Sequence, residues 1–299
     1  MQYETLVCPN CLSPINFEGI ECYSCKLPIK IEADGILCIN NARFDDWNRK
    51  QVEQAFKDGM HNWFDEDDER NKHFMDSFSV PLLKSLYPIP QGIRVLSVGC
   101  GTGLDVETLC DLGYEAWGIE CGERSIFWPI RKHADRKIRC LDDSLPFPDA
   151  HFDLVMCHQV IEHVGVVGDT TIPAKDWKQQ RQRFMNNIMR VTKIGGHLNI
   201  ATPNRLFPID PGHGSNFLGV RVHGPFDRFL TSYGDMKRYC IGQSLRALSP
   251  LGYYSGTSAF SRGRAGKTFL IYQKLLDRAS FLYGSLFNPL TNVLVQRMI

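Results

Sequence analysis

Three groups of residues in this 299-residue chain have the types and spacing to do chemistry. Cys8-Pro-Asn-Cys11 and Cys22-Tyr-Ser-Cys25 are two C-x2-C turns, each able to offer two thiolates to one tetrahedral ion. Four soft ligands fill every position, so such a site suits a structural zinc and leaves no opening for substrate. Gly99, Gly101 and Gly103, with Cys100 and Thr102 between them, end one apolar run, and Glu120 ends the next. Further on, Cys157 and His158 close another apolar run, and Gln159, Glu162 and His163 follow. A histidine or carboxylate placed there can take a proton from an acceptor, since an imidazole is largely neutral near pH 7.

The glycine loop discriminates between cofactors. A dinucleotide fingerprint requires G-x-G-x-x-G, but the third glycine comes one position early, at Gly103, and Leu104 stands where the fingerprint wants glycine. Glu120 can accept hydrogen bonds from both hydroxyls of a ribose. A helix beginning at Gly103 favours a carboxylate at its N-terminus. Ribose without pyrophosphate, next to a carboxylate, points to S-adenosylmethionine (SAM).

The elements that must position these groups alternate. Apolar runs at 93–98, 114–119, 137–141, 152–157 and 197–201, separated by helical or loop material, predict an α/β fold with a doubly wound parallel sheet. Ligands are then expected beyond the carboxyl ends of the strands. The stretch "LPIKIEADGILCIN" alternates around Asp34-Gly35, a hairpin that closes an N-terminal ribbon over residues 1–41. Residues 42–92, with Trp47, Phe56, Trp63, Phe64, Phe74 and Phe78, predict helices packing on the main domain; the acidic run Asp65 to Glu69 reads as a solvated loop or helix start. The main domain is expected over 93–274. Its last part, "YYSGTSAF" and "KTFLIYQK", reads as an antiparallel hairpin, with the apolar stretch 275–299 after the end of the sheet. That stretch is interrupted by Asn288-Pro289, so core or dimer packing is expected of it ahead of a membrane surface, and not a span.

Taken together, "VLSVGCGTG", "GIE", "SLPFPDAHFDLVMCHQVIEHV" and "MRVTKIGGHLNIATPNR" resemble the class I SAM-dependent methyltransferases, in the order that family carries them. The resemblance implies a Rossmann-like seven-stranded sheet with a reversed final strand. It implies Gly99, Cys100, Gly101, Thr102 and Gly103 around the methionine part of SAM, Glu120 on the ribose, Asp142 or Asp143 near the adenine, and Cys157 at the cofactor side of its strand. His158 or Gln159 is expected to face the reacting methyl. Members often carry an acidic residue where this chain has Ser97. The "EH" pair and "TPN" also resemble ubiquinone-biosynthesis O-methyltransferases and small-RNA 2′-O-methyltransferases, in which residues at this point hold a divalent metal. Here Gln159 replaces the acidic partner, so alignment without a metal is the leading expectation, with His158, Glu162 and His163 as catalytic candidates.

The segment after "TPN" is long, rich in Gly and Pro, and carries Arg205, His213, Arg221, His223 and Arg228. Such segments at a sheet's carboxyl edge form lids or acceptor sites. Gln159, Arg205, His213 and His223 are accordingly expected to meet a small-molecule or glycan-like acceptor through a hydroxyl oxygen. A formal net charge of +1 gives no footprint for a polyanion. An RNA methyltransferase that reads RNA through the ribbon is thus the disfavoured second reading, and a non-catalytic scaffold the third. Eleven cysteines, an odd number, without a secretion signal predict a reducing, cytoplasmic setting.

Overall fold

The computed structural model describes residues 5–39, 62–140, 145–168, 170–210, 213, 221–252 and 263–299. In chain order the elements begin with strands β1 (Ile15–Asn16), β2 (Glu21–Cys22), β3 (Ile29–Ile31) and β4 (Leu37–Ile39). Helix α1 (Asn62–Phe74), a π-helical turn (Met75–Ser79), α2 (Val80–Leu86), β5 (Arg94–Val98), α3 (Leu104–Asp111) and β6 (Glu115–Glu120) follow. After a 3-10 segment (Glu123–Ile130) come β7 (Lys137–Arg139), β8 (Phe152–His158), α4 (Trp177–Val191) and β9 (Thr192–Pro203). The chain ends with β10 (Ile209–Asp210), β11 (Arg221–Val222), α5 (Tyr233–Tyr239), β12 (Ser244–Ala247), α6 (Gly263–Asp277) and β13 (Leu290–Gln296). Trp47, Phe56 and "YYSGTSAF" lie outside the described residues.

The fold is mixed α/β, in two compact units. The first holds the N-terminal cysteine turns, Ile89–Val155 and Asn186–Lys193. Its strands run in the order β8-β5-β6-β7-β4-β3. Pairs β5–β6, β6–β7 and β7–β4 are parallel, and β3–β4 is antiparallel. Strands of a parallel sheet are covered on both faces, which is why Val95, Leu96, Val98, Ala116, Ile119 and Ile138 are all buried.

One feature of this unit departs from the sequence reading. The hairpin that was expected only to close the ribbon also extends the main sheet, with Leu37 opposite Ile138 and Cys38 opposite Arg139. Arg139 is buried, and its guanidinium is held from the hairpin side: Nη1 donates to Glu32 Oε2 (2.6 Å) and Nη2 to Asp34 Oδ2 (2.7 Å). From the other side it donates through Nη2 to the Ser125 carbonyl (2.8 Å) and through Nε to the Ser125 hydroxyl (3.1 Å). A buried guanidinium left without carboxylates would be strongly unfavourable, so these contacts tie the ribbon hairpin to β7 and to the 3-10 segment.

The second unit comprises Arg70–Pro88, Met156–Met185 and Ile194–Ile299. Here β13 pairs antiparallel with β9 from Leu290↔Pro203 to Gln296↔His197, and β12 pairs antiparallel with β13. Two expectations are corrected. "KTFLIYQK" is helical, within α6, because Phe269, Gln273 and Leu276 recur at helical spacing and face inward. The stretch placed after the sheet instead supplies β13, the reversed strand itself. All seven strands of the expected sheet are present among the described residues: β5, β6, β7, β8, β9, β12 and β13. From the helical region before the sheet, Phe74 and Phe78 pack against Ala201, Leu290 and Phe269.

Replacing Arg139 by alanine removes the guanidinium from both Glu32 and Asp34, and leaves Glu32 the longer contact with Lys30 (3.6 Å). The expected loss is about 3 kcal/mol of unfolding free energy, measured by urea denaturation, whereas Arg94→Ala, at an exposed pair with Glu115, should cost less than about 1 kcal/mol.

Candidate functional site

The glycine loop leaves β5 between two constraints. The amides of Gly99 and Cys100 both donate to the Ile119 carbonyl at the end of β6 (2.9 and 3.0 Å). The Glu120 carboxylate then draws the loop onto the strand end. Its Oε2 accepts from the Gly101 amide (2.9 Å), and its Oε1 accepts from the amides of Cys121 (2.9 Å) and Gly122 (2.8 Å). Oε1 already accepts two amides, but Oε2 keeps a second lone pair, so Glu120 can hold the loop and receive a hydroxyl donor at Oε2 together.

Gly103 is the N-cap of α3 with φ +80°, and a β-carbon there would stand 2.3 Å from Lys137 Cε. Its glycine is therefore required by the buried Lys137 side chain as well as by the left-handed turn. Gly118, inside "GIE", is required in the same way: a β-carbon would meet Cys100 Sγ at 2.6 Å. On the far side of the loop, Trp128 Nε1 donates to the Gly101 carbonyl (2.9 Å) and Arg131 Nε to the Thr102 carbonyl (3.2 Å). Thr102 Oγ1 donates to Asp68 Oδ1 (3.0 Å), and Asp68 also pairs with Arg131. The acidic run thus contributes Asp68, on α1, to fastening this loop, beyond the solvated role the sequence suggested.

Where the family often has an acid, the Ser97 hydroxyl donates to Asp105 on α3. Burial raises the Asp105 carboxyl to about 6, opposed by its bonds from Ser97 and from the Val106 amide. Asp142 and Asp143 lie outside the described residues. The four ribbon sulfurs of Cys8, Cys11, Cys22 and Cys25 all lie within 4.8 Å of one another. Leu12 and Lys26, one residue after Cys11 and Cys25, adopt φ +57° and +58°, which closes each turn on its pair of thiols.

In the second unit, β8 ends at Cys157, which is buried, and His158. His158 Nε2 lies 2.7 Å from Asn199 Oδ1, while the Asn199 amide donates to Asn292 Oδ1 (3.1 Å) and the Val293 carbonyl (3.0 Å). Those two acceptors fix the Asn199 amide, so Nε2 of His158 is the protonated nitrogen. Phe74 and Phe78 stand edge-on to the ring (5.2 and 5.8 Å). Burial lowers the His158 imidazole to about 4, against the Asn199 bond, which makes it a weak base and a firm hydrogen-bonding group. Gln159 follows, exposed and at φ +55°, with its amide donating to the Ala201 carbonyl (2.8 Å).

The turn after β8 carries Glu162 and His163, and the excursion closed by the β10–β11 pair brings His213 to them. Glu162, His163 and His213 each offer a ligand atom within 4.8 Å of the others. Nε2 of His163 lies 3.2 Å from Nε2 of His213, and His213 Nδ1 lies 3.0 Å from Asp210 Oδ2. Burial works to lower the His213 imidazole, but the bond and charge of Asp210 outweigh it and raise it. Glu162 is fully buried, and neither of its carboxylate oxygens has a hydrogen-bond partner among the described residues. Beneath the group, Arg181 donates to the carbonyls of Glu162 (3.0 Å), Val164 (3.0 Å) and Phe229 (2.6 Å). The Phe229 ring packs under both imidazoles, at 5.5 Å from His163 and 4.8 Å from His213.

His213 was expected to meet substrate and instead joins Glu162 and His163. Arg205 is also occupied structurally, pairing with Asp235 Oδ2 (3.0 Å), which belongs to the capping box of α5. His223 Nδ1 lies 3.2 Å from the Gly224 carbonyl, beside the exposed Phe226. Lys137, Trp128, Asp105, Arg181 and Asp210 were not singled out from sequence. Only the fold brings Lys137, Trp128 and Asp105 to the glycine loop, and Arg181 and Asp210 to the group around Glu162.

Residues 96–200 match the family model described as methyltransferase domain. Over those residues the sequence is that of a methyltransferase domain. The chain is 28% identical over 167 residues to a ubiquinone biosynthesis O-methyltransferase of Rickettsia typhi, covering 53% of this chain and 62% of the relative. A ubiquinone biosynthesis O-methyltransferase of Coxiella burnetii is 31% identical over 123 residues, 39% of this chain and 46% of the relative. The chain spans about half the length of the curated relatives it matches. Among solved structures, an S-adenosylmethionine-dependent methyltransferase from Mesorhizobium loti aligns at 16% identity and a TM-score of 0.44, over 73% of this chain and 96% of that one.

Burial lowers both His151 and His158 from the usual 6.5 to about 4. As pH falls, the unfolded chain takes up these protons first, so their contribution to stability is complete above pH 6.5 and is lost progressively toward pH 4. Thermal melts are expected to show a falling Tm across that window, and His158→Gln should flatten part of the slope.

Proposed function

We propose that this chain transfers the methyl group of SAM to a hydroxyl oxygen of a small-molecule or glycan-like acceptor. The acceptor oxygen forms the new bond to carbon as the carbon–sulfur bond breaks; the sulfonium leaves as the neutral thioether of S-adenosylhomocysteine, and the hydroxyl proton passes to solvent water. Glu120 receives a ribose hydroxyl at Oε2 while keeping the Gly101 amide in place, and the loop braced by Trp128, Arg131 and Asp68 holds the methionine part. Alignment of oxygen, carbon and sulfur supplies much of the acceleration.

The observation that carries the choice of oxygen is the buried Glu162 carboxylate, with no partner for either oxygen, converging with His163 and His213. Such a charge is costly unless a cation meets it, and oxygen plus imidazole donors suit a divalent metal. We therefore assign Glu162, His163 and His213 as residues that would hold one, with Asp210 orienting His213 through Nδ1. The chemistry a metal supplies there is a lowered pKa of the acceptor hydroxyl. This departs from the metal-free mechanism favoured by the Gln159 substitution. His158, protonated on Nε2 toward Asn199, serves as a positioning group in this reading.

The four ribbon cysteines are assigned to a structural zinc. Lys26 is paired with Glu21 (2.7 Å) and Lys30 with Glu32 (3.6 Å), which supports a ribbon that completes the sheet edge over one that reads RNA.

Isothermal calorimetry should detect SAM binding that weakens about tenfold or more in Glu120→Ala, as expected for loss of charge-assisted hydrogen bonds. Absence of SAM binding by the native chain would overturn the reading. Manganese titration should give one site that Glu162→Gln and His213→Ala each abolish with SAM affinity retained, and methyl transfer should fall about 100-fold in both. Elemental analysis should find one zinc per chain, lost together with thermal stability when Cys8 and Cys11 are replaced by serine.

A further inference from the structure

Helix α6 has two distinct faces. Phe269 packs against the buried cluster of Phe78, Ala201 and Leu290, and Gln273 and Leu276 are buried beside it at helical spacing. The opposite face carries Lys267, Ile271, Lys274 and Arg278 at spacings of four, three and four residues, a single exposed stripe along the helix. Leu270 and Leu275 flank this stripe, and Ile271 and Leu275 are 60% and 59% exposed. The segment after the helix continues the surface. Phe281 is 83% exposed, and Phe287, whose carbonyl accepts from the Tyr272 hydroxyl on α6, is 51% exposed.

The charge of this region differs from that of the whole chain. Residues 263–299 contain five Lys and Arg residues and a single carboxylate, Asp277, whereas the full sequence carries 34 cations against 33 acids. Asp277 accepts from the Ser249 and Tyr283 hydroxyls, and with five cations against this one acid the region keeps an excess of positive charge. Aliphatic and aromatic side chains interleaved with cations on one unpartnered face match the chemistry of a bilayer surface: apolar groups enter the acyl boundary, while lysine and arginine stems reach to anionic headgroups. A second copy of the chain is the poorer occupant. A two-fold contact of this face with itself would set Lys267, Lys274 and Arg278 against the same cations.

We propose that the face formed by α6 and the Phe281–Phe287 segment docks the protein on an anionic lipid bilayer. Association is peripheral: no described helix is long and apolar enough to cross a membrane. The inference does not depend on which acceptor is methylated.

Vesicle flotation of the full chain tests it, using phosphatidylcholine vesicles with and without phosphatidylglycerol. Binding is expected only with phosphatidylglycerol, weakened by added salt. Each basic residue near such a surface contributes about 1 kcal/mol, so Lys274→Gln with Arg278→Gln should lower partitioning about 30-fold. Phe281→Ser with Phe287→Ser should lower it about tenfold or more at unchanged salt dependence. Calorimetry with SAM on the same variants reports separately on the methyltransferase site and should not change. No binding to phosphatidylglycerol vesicles, or binding that all four substitutions leave intact, overturns the proposal. So does a dimer in analytical ultracentrifugation that the phenylalanine variants dissolve while the native protein ignores vesicles.

Discussion

Burying Arg139 constrains the arrangement of the first unit. A guanidinium inside a parallel sheet must be met by carboxylates and carbonyls from whatever packs beside it. Here the partners come from two directions: Glu32 and Asp34 from the turn of the N-terminal hairpin, and Ser125 from the segment after β6. The Arg139 guanidinium also lies 5.7 Å from the Trp128 ring, and Trp128 holds the Gly101 carbonyl. The ribbon hairpin is therefore linked through one side chain to the segment that braces the glycine loop. The cysteine turns, remote from this loop in sequence, belong to the same compact unit for that reason.

Glu120 does for the loop what Arg139 does for the sheet edge. Its oxygens accept three backbone amides, one of them within the loop, so the carboxylate is oriented before any ribose arrives. Preorganisation of this kind reduces the ordering cost of binding. Glu162 presents the opposite case. It is fully buried, yet the hydrogen bonds described around it run through its own backbone carbonyl to Arg181 and not through its carboxylate. Two carboxylates thus differ in their surroundings: that of Glu120 is met by three backbone amides, and that of Glu162 is buried beside two imidazoles.

Much of the architecture was legible because periodicity and glycine placement are local signals. The runs at β5, β6, β8 and β9, the displaced third glycine and the Asp34-Gly35 turn could each be read within a dozen residues. The C-terminal part misled for the same reason. "KTFLIYQK" is apolar enough for a strand, and short apolar runs do not distinguish the two periods without knowing which face is covered. Here Phe269 and Leu276 meet the core on one side of a helix, while Ile271 and Leu275 stay in solvent. With that run assigned to a hairpin, Leu290–Gln296 was left without a place, although it is the strand that pairs with β9.

Sequence alone determined the chemistry on offer: four thiols in paired turns, a glycine loop answering to Glu120, and the Glu162-His163 pair. Those assignments follow from residue type and short spacing, which the covalent chain enforces. Tertiary structure decided which of them act together. His213 lies fifty residues beyond His163, and only the closure of β10 against β11 brings the two imidazoles to 3.2 Å. Likewise, Gly103 is required by the approach of Lys137, and the ribbon joins the sheet because Arg139 must be neutralised. Long-range contacts of this kind arise from burial and the need to satisfy polar groups, neither of which has a local signature in the sequence.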